Sequence, residues 1–461
     1  MQRIAAIVSL LAVSGCSDAT APPPPPAPAT PPSPAVSAAN TARTSSGVPA
    51  DSDSESGIVI GDGEKLVAGR SADWRQWRGP NRNGVAEAGQ SAPTSWSESE
   101  NVVWKTPVPG RGHSSPTVVG DRIFLQTADE RQEVQSVVAF DRNTGDQLWK
   151  TDVARGGFPP SHNKNTHASA TIACNGKRLF AVFAHHGAVH LYALDVNGKE
   201  VWKQNLGTFT PQRFKYGYAP SPTLYGSTVI VAADTDAGGF ITARDQKNGA
   251  EVWKTQRPAK LSFSSPIVTT IAGKDQLLIS GCETVSSYNP SNGQETWSVA
   301  ATAMATCGTV VWDGGMVFAS GGYPKAETVA VRADTGQVVW RNGQKCYEQS
   351  MVADNGYLYA VTDRGIAYCW DARSGEEKWR GRLSSPISSS PVLAGGNIYL
   401  ANEAGQISVF KATPDAFELV SQIQLGTEAF ATPAICGGRI YLRVADSSGD
   451  GRQEFLYCIG S

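Results

Sequence analysis

From about residue 72 to the C-terminus, short apolar runs alternate with turns rich in Gly, Asp and Asn, and the same order of runs keeps returning. Period-2 alternation over a few residues, bounded by such turns, predicts β-strands rather than helices. The clearest unit closes each repeat: Ala139-Phe140-Asp141-Arg142-Asn143-Thr144-Gly145-Asp146-Gln147-Leu148-Trp149. Its pattern recurs at Trp202, Trp253, Trp297, Trp340 and Trp379, with Gly145, Gly198, Gly249, Gly293, Gly336 and Gly375 each four residues before the indole. An Asx residue usually stands eight before it, as Asp141, Asp245, Asn289 and Asp371 do; Asp195 stands seven before Trp202. An Asx side chain opens a tight turn and a left-handed Gly closes it with a bulge, so the next strand delivers the Trp. A repeated indole would be exposed on an isolated sheet, so each is predicted to pack on the neighbouring sheet as a staple.

A second signature opens each repeat. Ser115-Pro116, Ser221-Pro222, Ser265-Pro266, Ser390-Pro391 and Thr432-Pro433 each precede a short apolar strand; Ser169-Ala170, Thr306-Cys307 and the stretch around Ser350 are taken for the remaining places. Eight openings at a period of about 40 to 53 residues predict eight four-stranded blades, an all-β propeller. The closing strands also number eight when Trp104 is the first and Val420 a degenerate member. Trp104 precedes every opening, and the last repeat ends at Tyr457-Cys458 without a Trp strand. The N-terminal strand is therefore expected to complete the last blade, which shuts the ring and removes open sheet edges.

The residues before the repeats read as an address and a spacer. Arg3, the apolar residues 4–13 and Val13-Ser14-Gly15-Cys16 resemble a lipoprotein signal, with Cys16 as the lipidated residue; an ordinary signal with a chance Cys is the alternative. Ser17 after the Cys is similar to the bacterial pattern that sorts to the outer membrane, so an exported, periplasm-facing, membrane-anchored protein is expected. Residues 17–71, with unbroken proline at 22–26, have the composition of a disordered tether, leaving residues 72–461 for the propeller.

Charge narrows the function classes. A net charge of −2 with no Lys/Arg run excludes a nucleic-acid footprint. Seven cysteines follow Cys16; no CxxC or adjacent pair exists, and Cys174 with Cys436, like Cys369 with Cys458, reads as small apolar residues at matching strand positions. All six histidines fall between His113 and His190: His113, His162, His167, His185, His186 and His190. His113 and His167 each stand two residues before an assigned opening; His185 and His186 fall in the next hairpin loop, with Asp234 and Asp236 in the corresponding loop one blade on. His113, His167, His185 and His186 are thus candidate ligands for a transition metal at one channel mouth, and solvated loop histidines are the alternative. Lys215, Tyr216, Tyr218, Glu283, Glu348, Glu403 and Arg443 are further mouth-lining candidates, while the acidic, Gly-rich stretch at 446–451 reads as a hairpin tip. No catalytic residue is assigned.

The Ala-x-Asp-x-x-Thr-Gly-x-x-x-Trp unit resembles the tryptophan-docking motif of pyrroloquinoline-quinone-repeat propellers. The segment Asp73-Trp74-Arg75-Gln76-Trp77-Arg78-Gly79-Pro80-Asn81-Arg82-Asn83-Gly84, with Glu100-Asn101-Val102-Val103-Trp104, is similar to the start of bacterial PQQ-binding-like repeat proteins. Two groups share that fold: quinoprotein dehydrogenases and the propeller lipoprotein of the outer-membrane barrel assembly machinery. The first would imply quinone in the channel beside an adjacent-Cys disulfide, Ca²⁺ held by Glu, Asn and Asp, and an Asp base. No adjacent cysteines occur here, and no residue matches those ligands. The resemblance therefore implies a cofactor-free, monomeric scaffold with envelope-protein partners; a periplasmic oxidoreductase using pyrroloquinoline quinone and Ca is the alternative.

Overall fold

The computed structural model describes residues 73–449 and 451–460. The expected anchor at Cys16 and the tether at 17–71 lie outside them.

The described residues form thirty-two strands in eight four-stranded antiparallel sheets, the eight-bladed propeller the repeats predict. Blades 1 to 7 begin at Thr117, Ala173, Thr223, Ile267, Val311, Val352 and Val392, each running outward from its innermost strand. Blade 8 has Ala434–Cys436 innermost and takes its outermost strand, Val102–Val108, from the start of the chain, so the ring closes as expected.

The docking turns have the anticipated chemistry. In blade 1 Asp141 Oδ1 accepts from the backbone N–H groups of Asn143 and Thr144, and Gly145 has φ +79°. Beside each Trp the strand register shifts by a bulge, as between Ala139 and Phe140. The indoles all reach across a blade boundary. Trp104 Nε1 donates to Arg142 O at 3.2 Å, Trp149 to Val196 O at 3.1 Å, and Trp202 to Gln246 O at 3.2 Å. Trp253 donates to Pro290 O at 3.0 Å, Trp297 to Ala333 O and Trp340 to Ala372 O both at 2.9 Å, and Trp379 to Thr413 O at 2.6 Å. Each of the six turn glycines lies flat under the preceding blade's indole; a Cβ on Gly145 would stand 2.7 Å from the Trp104 ring.

Blade 7 needs a correction. Val409 pairs with Ser421 where the other blades pair a small residue with Trp, so Ser421, not Val420, holds the tryptophan place. Val420 is exposed. Ser421 Oγ donates to Thr94 O, and the nearby Trp96 is buried in the core that runs from blade 7 through blade 8 into blade 1.

Cys369 and Cys458 do match, each paired between a Tyr and a Trp. Cys174 and Cys436 do not: Cys174 is the second residue of its inner strand and Cys436 the third. All seven described cysteines are free thiols, and six are buried.

The openings form a second ring, on the channel side. Two residues before each inner strand stand Ser115, Thr171, Ser221, Ser265, Thr309, Ser350, Ser390 and Thr432. Ser115 N donates to Thr171 Oγ1 at 3.1 Å, Thr171 N to Ser221 Oγ and Ser221 N to Ser265 Oγ both at 2.9 Å. Thr309 N donates to Ser350 Oγ and Ser350 N to Ser390 Oγ both at 3.0 Å, and Ser390 N to Thr432 Oγ1 at 2.9 Å. The inner strand of a blade is a sheet edge, and a short hydroxyl from the next blade satisfies an N–H that would otherwise face the channel. Blades 2 and 5 therefore open at Thr171 and Thr309, not at Ser169-Ala170 and Thr306-Cys307. The hydroxyls of Ser169 and Thr306 are used in local turns, with Asn165 and Thr166 and with Ala303 O respectively. Ser221→Ala is expected to cost about 1 kcal/mol in denaturant unfolding through one lost buried hydrogen bond.

Candidate functional site

The segment 73–90 makes the channel blind. It touches every blade on the side of the docking turns. Trp74 exchanges backbone hydrogen bonds with Val118 of blade 1, and Arg75 O accepts from Cys174 N of blade 2. Arg82 donates to Leu224 O at 2.9 Å and Val268 O at 3.1 Å in blades 3 and 4. Trp77 Nε1 donates to Thr309 Oγ1 of blade 5 at 2.8 Å, the indole standing in the channel. Arg78 donates to Met351 O at 2.6 Å and Pro391 O at 2.7 Å, just before the inner strands of blades 6 and 7. Gln90 Oε1 accepts from Gly437 N of blade 8 at 2.7 Å. Arg78 is 1% exposed and is held by carbonyl oxygens alone; burial pushes its guanidinium down to about 9. Gly84, at φ +80°, lies so close that a Cβ there would stand 2.0 Å from Arg78 Nη2, which fixes that glycine.

Above Trp77 lies a cavity of about 380 Å³. Its walls come from the hydroxyl ring and from the residues two positions earlier in each opening: His113, Ser169, Ala219, Phe263, Cys307, Glu348, Ser388 and Phe430. The loops entering the blades add His162, Lys164, Asn165, Tyr216 and Tyr347. The periodic frame thus gives the pocket an apolar arc on blades 3 to 5 and polar positions on blades 6, 7, 1 and 2, with Phe430 of blade 8 between them.

The polar arc is interconnected. Ser388 Oγ lies within hydrogen-bond reach of Glu348 Oε2 and 2.7 Å from Glu403 Oε1, and Lys164 Nζ donates to the same Glu403 oxygen at 2.7 Å. Burial, and after it the charge of Glu403, raises the Glu348 carboxyl above the usual range, although Ser388, Lys164 and His162 pull the other way. Burial opposes the charge of Lys164, but Glu403 more than offsets it and raises its pKa. His113 stacks on Phe430 with centroids 4.5 Å apart, and its Nε2 is buried without a partner. Burial, reinforced by Arg111, Arg443 and Arg452, holds this imidazole well below its usual range and keeps it neutral.

The four candidate metal ligands are not brought together. With the blade 2 opening at Thr171, His113 matches Ser169, and His167 matches Arg111; the two histidines are not equivalent. His167 Nε2 donates to Pro159 O at 2.8 Å, its Nδ1 pairs with Glu130 Oε2, and the ring stacks on Phe158. His185 and His186 face each other, Nδ1 to Nδ1 at 3.0 Å, with His190 stacked on His185 at 3.9 Å between centroids. Burial and then His190, His186 and Lys203 take His185 down to about 4. Among the described residues no group of three or more His, Cys, Asp or Glu side chains is placed to hold a metal ion.

Of the other sequence candidates, Tyr216 and Glu348 line the pocket and Glu403 reaches it through Ser388. Tyr218 is buried and donates to Ala232 O, Glu283 pairs with Lys260 at the surface, and Asp234 is locked to Arg257. Arg443 is buried between blades 8 and 1.

His167 and Glu130 give a pH test. Burial lowers the His167 pKa, but the Glu130 hydrogen bond outweighs it and raises it; burial of Glu130 is likewise outweighed by His167, and its pKa falls. The raised His contributes stability below pH 6.5 that fades as pH climbs through its folded value, and the lowered Glu contributes above pH 4.5. Glu130→Gln is therefore expected to cost about 0.5 kcal/mol near pH 5.5, shrinking toward zero above pH 8 in urea titrations.

Fold and pocket together define an eight-bladed propeller of the quinoprotein type with a blind channel. A family model described as outer membrane protein assembly factor BamB matches residues 133–341 and 324–414, more than half of the chain, and the chain belongs to that family. The BamB of Burkholderia pseudomallei (strain K96243) is 24% identical over 311 residues, covering 66% of this chain and 65% of that relative. Among solved structures, BamB from Moraxella catarrhalis superposes with a TM-score of 0.57 at 14% identity, covering 77% of this chain and 96% of that one. A europium-containing methanol dehydrogenase gives 0.65 at 12%, covering 85% and 98%, a likeness of fold alone. The lining does not match the needs of a calcium-bound tricarboxylate quinone: its lysine, Lys164, is already paired with Glu403, and among the described residues Glu348 belongs to no group of three or more His, Cys, Asp or Glu side chains placed to hold a metal ion.

Proposed function

We propose that this protein is a cell-envelope scaffold, a non-catalytic propeller that binds and helps assemble outer-membrane proteins. The carrying observation is membership of the assembly-factor family across blades 1 to 7. Relatives named outer membrane protein assembly factor support the same class of partner. The fold suits such a role, since a ring closed within one chain, working as a monomer, presents two rims of loops on a rigid frame. A lipid on Cys16 would hold it on the periplasmic face of the outer membrane, with 17–71 as the spacer.

The test is co-purification of the full chain from detergent-solubilised envelopes after cross-linking. Recovery of the β-barrel assembly proteins, and release of Cys16→Ala to the soluble periplasm, are expected. Dye reduction by protein reconstituted with pyrroloquinoline quinone and Ca²⁺ would instead establish the oxidoreductase.

A further inference from the structure

Ser388 has one hydroxyl proton and stands between two carboxylates. Its Oγ contacts both Glu348 Oε2 and Glu403 Oε1, and one O–H donates to only one of them. The second contact needs a proton on a carboxyl. Lys164 Nζ donates to Glu403 Oε1 at 2.7 Å, so of the two carboxyls it is Glu348 that has no ion pair among the described residues. Independently, His113 Nε2 is a buried ring nitrogen in the same pocket with no partner. The polar arc thus holds a carboxyl without an ion pair, Glu348, and a ring nitrogen without a hydrogen-bond partner, His113 Nε2. Facing them, Ala219, Phe263 and Cys307 offer apolar surface, with the Tyr216 ring tilted against Phe263 at 5.8 Å between centroids.

We propose that the blind pocket binds a small hydroxylated primary amine, its ammonium on Glu348, its carbon frame along Ala219, Phe263 and Cys307, and its hydroxyl on His113 Nε2. This goes beyond the scaffold reading and does not depend on it. An anion is disfavoured, because Lys164 is already paired and Glu348 remains. A cation supplies the charge that Glu348 lacks, while an aromatic carbon frame packs on the apolar wall. The cavity of about 380 Å³ lies at the small end of ligand pockets, which run from about 300 to 1,000 Å³. A hydroxyl both donates and accepts, so it satisfies His113 in either tautomer.

The exchange balances: the Glu348 acid and R–NH₃⁺ give a carboxylate–ammonium pair and one proton released to solvent. The groups that face Glu348 are Lys164 and His162 from the loop before blade 2, Cys307 from blade 5, Tyr347 from its own loop, and Glu403 from blade 7. Asp363 of blade 6 acts on Lys164. With Glu348 raised above the ordinary carboxylate range, affinity for the amine falls as pH drops through that value, because the acid form has no charge to offer.

Calorimetry on the full chain tests this with three probes: tyramine, its neutral isostere tyrosol, and phenethylamine, which lacks the phenol. At pH 7.5 tyramine is expected to bind at least tenfold tighter than tyrosol and several-fold tighter than phenethylamine. Lowering the pH to 5.5 should narrow the first gap. Heats in two buffers of different ionisation enthalpy should show a proton release with tyramine that grows as the pH is lowered toward 5.5, and none with tyrosol. Glu348→Gln, checked for an unchanged melting curve, should bring tyramine down to tyrosol. Equal binding of tyramine and tyrosol in the unaltered protein, absence of heat from tyramine at millimolar concentration, or a proton balance for tyramine that does not change between pH 7.5 and 5.5 would overturn the proposal. None of these outcomes bears on recovery of envelope partners.

Discussion

Trp253→Ala is expected to cost about 3–5 kcal/mol and to lower the denaturation midpoint of the whole ring as one transition. The indole is 8% exposed, its Nε1 donates to Pro290 O of blade 4 at 3.0 Å, and its face covers Gly293. Removing it takes away ~200 Å² of buried aromatic surface and leaves a slot between two blades that cannot collapse, because both backbones are held by their own ladders. Thr255 Oγ1 still ties to Gly293 O at 2.7 Å, so the blades stay joined but underpacked. Gly293→Ala attacks the same interface from the other side. Its φ of +72° disfavours any side chain, and the new Cβ would sit 2.4 Å from Trp253 Cε3. Blade 7 supplies the control. Ser421 holds the tryptophan place there, and Ser421→Ala is expected to cost about 1 kcal/mol through its bond to Thr94 O. Equilibrium unfolding in guanidinium measures all three; a loss under about 1 kcal/mol for Trp253→Ala would remove the staple as the source of ring stability.

The docking turn was legible because one short stretch carries its whole mechanism. Asp141, Gly145 and Trp149 are each required locally, by a turn, a positive φ and an exposed strand face. The hydroxyl ring was legible where proline marks it and, without proline, only around Ser350. Thr171-Ile172 and Thr309-Val310 lack the proline, and Ser169 and Thr306 stand just upstream as decoys serving local turns. That slip displaced the frame at blade 2 by two residues and made His113 and His167 look equivalent. In the right frame, the residues two before each opening are the pocket wall itself, including Cys307 and Ser388. The plug could not be found this way. Trp74, Trp77, Arg78 and Arg82 look like a conventional strand-leading stretch, and their partners lie as far as 313 residues away in sequence. Nor does any local pattern bring Lys164 to Glu403, 239 residues on. Arg443, taken for a residue at the mouth, belongs to the seam for the same reason: its partners are on the first blade as well as the last.

The seam between blades 8 and 1 joins the two ends of the ring without a hydroxyl bridge, since Ser115 Oγ is buried there without a partner. Trp104 and the buried pair Arg443–Glu454 hold it instead. Both members of the pair are 2% exposed. Arg443 also donates to Gln126 O at 2.6 Å and Thr127 Oγ1 at 3.3 Å on blade 1, while Glu454 accepts from Gly112 N at 3.3 Å and pairs with Arg452 at 2.7 Å. Arg443→Met fills a similar volume but takes from the buried Glu454 its shorter ion pair, leaving it Arg452 alone, and leaves Gln126 O without its donor. The expected loss is about 3–5 kcal/mol. Burial lowers the Arg443 pKa even with Glu454 beside it, which marks how costly this charge is to keep. Arg443→Met combined with Glu454→Met should therefore recover most of the loss, because the desolvation penalty disappears with both charges. Urea unfolding of the single and double variants decides it: equal destabilisation in both would mean that the bonds to Gln126 and Thr127, rather than the ion pair, carry the seam.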